Sequence, residues 1–162
     1  MLNDQNAFSN ELLRVKENYI RIILNGNASS DPYPRLGSGN SIVAGPIGSK
    51  LYALARIPST GVKAYYRKYA NQSLFANQQV RSEICKRFLQ PGDTLVVDGS
   101  SNPKIQLKTG SFILLEWHHS PNHIGSLSLI SREDHRLGAN YAALHFESRL
   151  GGNQMFNVRY GQ

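Results

Sequence analysis

The residues best suited to chemistry are five histidines that lie close together late in the chain. All five fall within 28 consecutive residues, and the preceding 117 residues contain none. Imidazole is the commonest nitrogen ligand for transition metals, and its ordinary pKa of about 6.5 suits proton transfer at neutral pH. The cluster therefore predicts a site that binds a metal or transfers protons, built from His118, His119, His123, His135 and His145.

The segments around the histidines predict a strand, a loop, a second strand and a helix, in that order. Residues 112–117 are apolar and predict a strand that ends in the histidine pair 118–119. Residues 120–126 predict a loop, and residues 127–130 alternate as a short second strand. Ser131 then begins a pattern that resembles a capping box, which predicts the start of a helix.

This order has consequences for the histidine side chains. It places His135 in the opening turns of the helix and can bring it next to His118 across the strand pair. His118 and His119 should diverge, because neighbouring side chains in a strand point to opposite faces. One of the two can then bind a metal while the other faces a substrate. His123 lies in a Pro-Asn loop and is predicted to be exposed, whereas Trp117 is predicted to pack against the main core.

A longer pattern runs through this region, and its members are Glu116, Trp117, His118, His119, residues 125–130, Asp134, His135, His145, Gly151 and Gly152. This pattern resembles the WHH branch of the HNH/endonuclease VII superfamily of ββα-metal nucleases. Such nucleases are found largely as C-terminal toxin domains of bacterial polymorphic toxins. The similarity covers residues 116–156, and the Glu-x-His-His element is also similar to the colicin-type DNases.

The resemblance implies a role for each matching residue. His118, His135 and His145 would hold one divalent metal ion, and His119 would be the general base that takes a proton from the attacking water. Glu116 matches the acidic residue that holds an arginine near the scissile phosphate in colicin-type DNases. The implied reaction is metal-dependent hydrolysis of a phosphodiester bond, with Glu116, His118 and His119 as the catalytic residues.

Two positions depart from the family pattern. The middle asparagine of the superfamily would fall near Ser126, and Asn122 in the same predicted loop is the alternative for positioning it. His145 follows His135 by ten residues, which is about 15 Å along an unbroken helix. The helix must therefore end or bend near residues 138–140 if both imidazoles bind one ion.

The ligand types restrict the metal. Three neutral imidazoles favour zinc, nickel, cobalt or manganese, and magnesium bridged by a substrate phosphate remains an alternative. A closed tetrahedral zinc site made of His118, His119, His135 and His145 would instead indicate a non-catalytic nucleic-acid-binding module, because catalytic zinc sites keep one position open.

The charge distribution predicts an anionic partner. The chain of 162 residues has a formal net charge of +7. Residues 50–87 contain eight basic residues and one acidic residue, whereas the remainder contains ten of each, so the whole excess lies in this segment. Such concentration favours nucleic acid, and Arg56, Lys63, Arg67 and Lys68 are the predicted contacts with a DNA backbone. Solvated helices with exposed cations are the alternative interpretation.

The apolar periodicity predicts an α+β fold with a helical N-terminal region. The resemblance implies that the C-terminal part is a ββα-metal (His-Me) finger, in a single nuclease domain over 1–162. We expect a helix over 1–25, a Gly/Pro-rich loop over 26–49, a basic, mostly helical region over 50–110 and the finger over 111–156. Within the basic region, a helix break is predicted near residues 71–73, and strand-like residues begin at Leu95. The single cysteine, Cys85, excludes an intrachain disulfide framework.

The resemblance implies a largely sequence-nonspecific DNA endonuclease that acts as an antibacterial effector. It also implies a neutralising, acidic immunity protein and delivery to the cytoplasm of a target bacterium. Residues 1–25 lack the apolar core of a secretory signal, and no apolar run approaches the length of a membrane span. An RNase or a mobile-element nuclease with the same finger is the alternative within the same class of enzymes.

Overall fold

One six-stranded antiparallel sheet organises the chain. The computed structural model describes residues 10, 14, 32–35, 41–57, 66–119 and 125–137. The strands are β1 (Ile42–Ala44), β2 (Ala53–Arg56), β3 (Thr94–Val96), β4 (Lys104–Gln106), β5 (Phe112–His119) and β6 (Ser126–Ser131). Their order across the sheet is β1-β2-β6-β5-β4-β3. The hairpin formed by β5 and β6 therefore occupies the centre of the sheet, between two pairs of outer strands.

Helices pack against both faces of this sheet. The fully described ones are α1 (Tyr66–Ala76), α2 (Gln78–Phe88) and α3 (Arg132–Arg136). α1 and α2 lie between β2 and β3 in the chain and contact the outer strands, whereas α3 follows β6 directly and contacts β5 and β6. The short helix α3 is thus the described helix that lies over the central hairpin.

The hydrophobic core lies between one face of the sheet, the core face, and helices α1 and α2. The helices contribute Ala70, Leu74 and Ile84 to it. Within the core, Nε1 of Trp117 donates a hydrogen bond of 2.6 Å to Oδ1 of Asn71, so the buried indole N–H is satisfied. The buried strand residues of this face are Ile42, Ala53, Ala55, Ile105, Leu115, Trp117, Leu127 and Leu129.

The opposite face of the sheet, the α3 face, carries the residues that alternate with those core residues. Leu54 and Ile130 are completely buried there although they lie outside the core cluster, so the central strands are covered on both sides. The polar members of this face on β2, β5 and β6 are Arg56, Glu116, His118, Ser126 and Ser128. On the central hairpin the core face is mainly apolar, whereas the α3 face combines this polar row with the apolar residues Phe112, Leu114 and Ile130.

The predicted mixture of α and β structure is confirmed, as are the strands expected from Leu95 onwards, over 112–117 and over 127–130. The expected helical pattern is wrong at residues 53–56, which form β2, and the predicted loop over 26–49 contains β1. Ala, Leu and Arg in β2 favour helix by propensity, but antiparallel pairing with β1 and β6 overrides this weak preference.

The break between the two long helices also differs from the prediction. α1 continues through residues 71–73, and the chain breaks at Asn77, whose Oδ1 accepts a 3.0 Å hydrogen bond from the backbone N–H of Val80. Asn71 does not end the helix, because its side chain bonds to Trp117 in the core and not to the local backbone. Val80, Ile84 and Phe88 share one face of α2, and all three pack into the core.

Several sequence predictions fall mainly outside the described residues. Of the predicted helix over 1–25, Asn10 and Arg14 are described, and both are helical. The end of the predicted finger beyond residue 137 lies outside. In the described ranges, no helix combines the length and the apolar character needed to cross a membrane.

Candidate metal and phosphate site

The site begins with the alternation of side chains along β5. Leu115 and Trp117 belong to the core face, so Glu116 and His118 point to the α3 face. His119 lies two residues after Trp117 and therefore also on the core face. The pairing of β5 with β6 remains regular up to His119 and Leu127. His118 and His119 therefore diverge, as predicted, and both are buried.

On the neighbouring strand, two serines lie beside this row. Ser128 is the cross-strand partner of His118, and Ser126 is the partner of Arg56. Ser126 and Ser128 are buried, and among the described residues neither Oγ has a hydrogen-bond partner. Buried hydroxyls without partners are unfavourable unless a ligand or water satisfies them, so this row is suited to a polar ligand.

The prediction that Ser126 lies in the loop is wrong. Gly125 adopts a φ of 87°, a left-handed conformation that glycine tolerates, and its carbonyl accepts a 2.9 Å hydrogen bond from the N–H of Ile57. This turn ends the loop one residue earlier than expected, so Ser126 already pairs with β2. Asn122, the alternative positioning residue, lies outside the described part of the chain, as does His123.

α3 carries His135 to the α3 face of β5. Its N-cap is Ser131, whose Oγ accepts a 3.1 Å hydrogen bond from the N–H of Asp134, as the capping pattern predicted. Glu133 and Asp134 occupy the first turn, where the helix dipole favours acidic groups. The ring centroids of His118 and His135 are 5.1 Å apart, at an interplanar angle of 64°. The predicted approach of these two histidines is confirmed.

Glu116 holds His135 in a defined orientation. Its Oε2 lies 2.7 Å from Nδ1 of His135. Burial raises the pKa of the Glu116 carboxyl, but the hydrogen bonds and charges of His135 and Arg136 outweigh burial, so the pKa lies below its ordinary value. Because an ionised carboxylate only accepts hydrogen bonds, Nδ1 of His135 is the donor in this contact, which fixes the orientation of the ring. Carboxylates orient metal-binding histidines in this way.

The same carboxylate also holds an arginine. Nη2 of Arg136 donates to Oε1 of Glu116 at 2.6 Å, and Nε of Arg132 lies 3.6 Å from that oxygen. The side chain of Glu116 is 15% exposed and that of Arg136 is 60% exposed, so the guanidinium reaches solvent from a buried anchor. The resemblance implies that Glu116 holds an arginine, and in the structure Arg136 takes that place.

The described residues supply two of the three expected metal ligands. No group of three His, Cys, Asp or Glu side chains suited to a metal occurs among them, and His145 lies outside them. α3 ends at Arg136, with Leu137 as an extended C-cap, so the helix does not continue towards residue 145 as a straight rod. The pair His118 and His135, with the ring of His135 oriented by Glu116, fits an imidazole-binding divalent ion.

The predicted DNA contacts do not form one patch. Arg56 lies on the α3 face, half-buried, with its guanidinium 6.0 Å from the ring centre of Tyr33. Arg67 and Lys68 are exposed on α1, which packs on the core face. Lys63 lies outside the described part of the chain. Of these cations, Arg56 is the one that shares a face with His118.

Comparison with known proteins found no match among protein-family models, curated proteins or solved structures.

Proposed function

We propose that this protein is a metal-dependent endonuclease that hydrolyses DNA phosphodiester bonds, largely without sequence specificity. The observation that carries the proposal is the contact between His118 and His135, with His135 oriented by Glu116. The β5–β6 hairpin followed by α3 supports a ββα-metal finger, because its order and contacts place one histidine from a strand and one from a helix on the same side.

His118 and His135 would hold the divalent ion, with His145 as the third ligand and zinc, nickel, manganese or magnesium as candidates. When bound, such an ion supplies positive charge to the scissile phosphate and to the leaving oxygen. The ring of His135, oriented by Glu116, and the buried ring of His118 suit this role.

The remaining residues act on the substrate and on the proton. Arg136, held by Glu116, presents an exposed guanidinium that can neutralise phosphate charge. His119 starts on the face opposite His118, but it is the last residue of β5. In the role that the resemblance implies, it would take the proton from the water whose oxygen attacks phosphorus. The bond from phosphorus to the leaving oxygen then breaks, and water completes the protonation of that oxygen.

A closed zinc site made of all four predicted histidines is less consistent with β5. The ladder is regular through His119, so His118 and His119 begin on opposite faces of the sheet. This alternation favours an open site over a structural zinc centre.

The biological setting follows from the resemblance to effector nucleases. We propose delivery to the cytoplasm of a target bacterium and neutralisation by an acidic immunity protein, whose charge would complement the net charge of +7.

The test is cleavage of supercoiled plasmid by the purified protein with each divalent metal, with and without chelator. The native protein should relax or linearise the plasmid with metal, whereas His118→Ala, His135→Ala and His119→Ala should be inactive. His123→Ala is the matched control and should remain active. Intact plasmid with every metal would contradict the proposal, and cleavage of RNA alone would assign the same site to an RNase.

A further inference from the structure

The α3 face of β5 carries an exposed apolar surface next to the site. Phe112 and Leu114 are 48% and 44% exposed, although both lie in a strand of the sheet. They share a face with Glu116 and His118, because all four occupy alternate positions. Burial along this row rises from Phe112 to His118, so the open surface leads into the buried part of the site.

Cations lie at both ends of this exposed apolar surface. Nζ of Lys104 lies 4.5 Å from the ring centre of Phe112, and Lys104 is the cross-strand partner of Leu114. At the other end, Arg132 and Arg136 extend from α3 beside Glu116, with side chains 48% and 60% exposed. α3 also carries two acidic residues, Glu133 and Asp134, and Asp134 pairs with Lys50 at 3.8 Å. The charges nearest the apolar surface therefore favour an anionic partner.

The spacing suits an extended strand of nucleotides. Residues on one face of a strand repeat about every 6.5–7 Å, so Phe112 is about 13 Å from Glu116 along β5. A flat aromatic ring stacks on the face of any base, and a neighbouring cation neutralises phosphate. In a duplex, base faces are already occupied by their neighbours, so an exposed ring on an open sheet favours unpaired bases.

We propose that Phe112, Leu114 and Lys104 form a stacking surface for unpaired bases of a nucleic-acid strand. The bound nucleic acid then runs along the α3 face of β5 to Arg136 and His118. This inference rests on the proposed nuclease function, which explains why the surface would bind a nucleic-acid strand. It assigns an unpaired strand, of DNA or RNA, as the substrate class.

Binding is tested with the full chain in chelator, so that no strand is cut. The probes are fluorescent oligo(dT) and oligo(U) of about 12 nucleotides and a DNA duplex of the same length. Phe112→Leu removes the ring but keeps an apolar side chain in the strand. We expect it to weaken binding of one or both single strands about 5- to 100-fold. Phe112→Tyr, which keeps a ring, should bind as the native protein does.

Phe75 provides a matched control. It is 50% exposed, and the guanidinium of Arg81 lies 5.8 Å from its ring centre, but it is on α1. Phe75→Leu should leave binding unchanged. Loss of oligo(dT) binding alone would assign the surface to DNA, and loss of oligo(U) binding alone to RNA.

Three results would overturn the stacking surface: unchanged single-strand binding by Phe112→Leu, tighter binding of the duplex than of either single strand, or loss of binding by Phe75→Leu instead. Unchanged binding of every probe by Phe112→Leu is also the result expected if the surface docks a protein. Plasmid cleavage separates the two proposals. If the native protein cleaves plasmid with metal but Phe112→Leu binds single strands normally, the nuclease proposal stands and the stacking surface is rejected. If Phe112→Leu binds single strands more weakly but no metal supports cleavage, the stacking surface stands and the nuclease proposal is rejected.

Discussion

Replacing Glu116 with glutamine tests the central contact of the proposed metal site. In the native protein, Oε2 lies 2.7 Å from Nδ1 of His135, and Oε1 accepts from Nη2 of Arg136 at 2.6 Å. Glutamine has nearly the same shape, but it has one oxygen, and its amide nitrogen donates. Whichever way the amide turns, one of the two native donors faces another donor. The substitution therefore disturbs the orientation of His135 without creating a cavity.

The expected loss is larger for metal binding than for folding. Carboxylate partners of metal-binding histidines typically contribute a factor of about 10–100 in affinity or activity. We expect Glu116→Gln to bind zinc more weakly by that factor, which corresponds to about 1.4–2.7 kcal/mol. Without metal, the free energy of unfolding should fall by only about 1 kcal/mol, because the side chains of Arg132 and Arg136 are about half exposed or more.

Isothermal titration with zinc measures this affinity directly. Trp117 is the only tryptophan in the chain and the sequence neighbour of His118, so its quenching by nickel or cobalt gives a second readout. Glu83→Gln is the matched control, because Glu83 also binds an arginine, with Nε of Arg87 at 3.0 Å, but lies on α2. Unchanged zinc affinity in Glu116→Gln, when His118→Ala abolishes binding, would refute the orienting role of this carboxylate.

Three further predictions concern stability and ionisation. Trp117→Phe should lower the free energy of unfolding in urea by about 2–3 kcal/mol, because it removes buried volume and leaves a buried amide oxygen without its donor; an unchanged midpoint would contradict this. Asn77→Ala should cost about 1 kcal/mol in the same assay through loss of the α2 cap, and an equally stable variant would show that the cap contributes nothing. Hydrogen bonds from the backbone N–H groups of Ser101 and Ser100 lower the pKa of Asp98 to about 2. The contribution of Asp98 to stability is therefore complete above its unfolded pKa of about 4 and is lost as the pH falls to about 2. An NMR titration of the Asp98 carboxyl with a midpoint near 4 would contradict this lowered pKa.

The central hairpin could be predicted from the sequence because its signals are local. Apolar residues ending in a histidine pair predicted β5, alternation predicted β6, and the serine cap predicted α3. These elements follow one another with short connections, so their order alone brought His118 and His135 together. The arginine bound by Glu116 could not be found in this way. Glu116 and Arg136 are 20 residues apart, and their contact depends on how α3 lies across β5.

The errors outside the hairpin have a common physical origin. β2 has residues with high helix propensity, yet its backbone bonds to β1 on one side and to β6 on the other. Its alanines, Ala53 and Ala55, are completely buried on the core face. Asn71 was expected near a helix break, but Trp117, 46 residues away, occupies its side chain. In each case a partner distant in sequence outweighs a local preference.

The two faces of the sheet allow the proposed function to be tested apart from the fold. Trp117 anchors β5 to the helices through the core face, whereas Glu116 and His118 lie on the other face of the same strand. Substitutions on the α3 face leave the contact between Trp117 and Asn71 in place. Loss of metal binding or cleavage in Glu116→Gln or His118→Ala, with unfolding close to that of the native protein, therefore reports on the site. A parallel loss of stability would instead show that the buried polar row supports the fold.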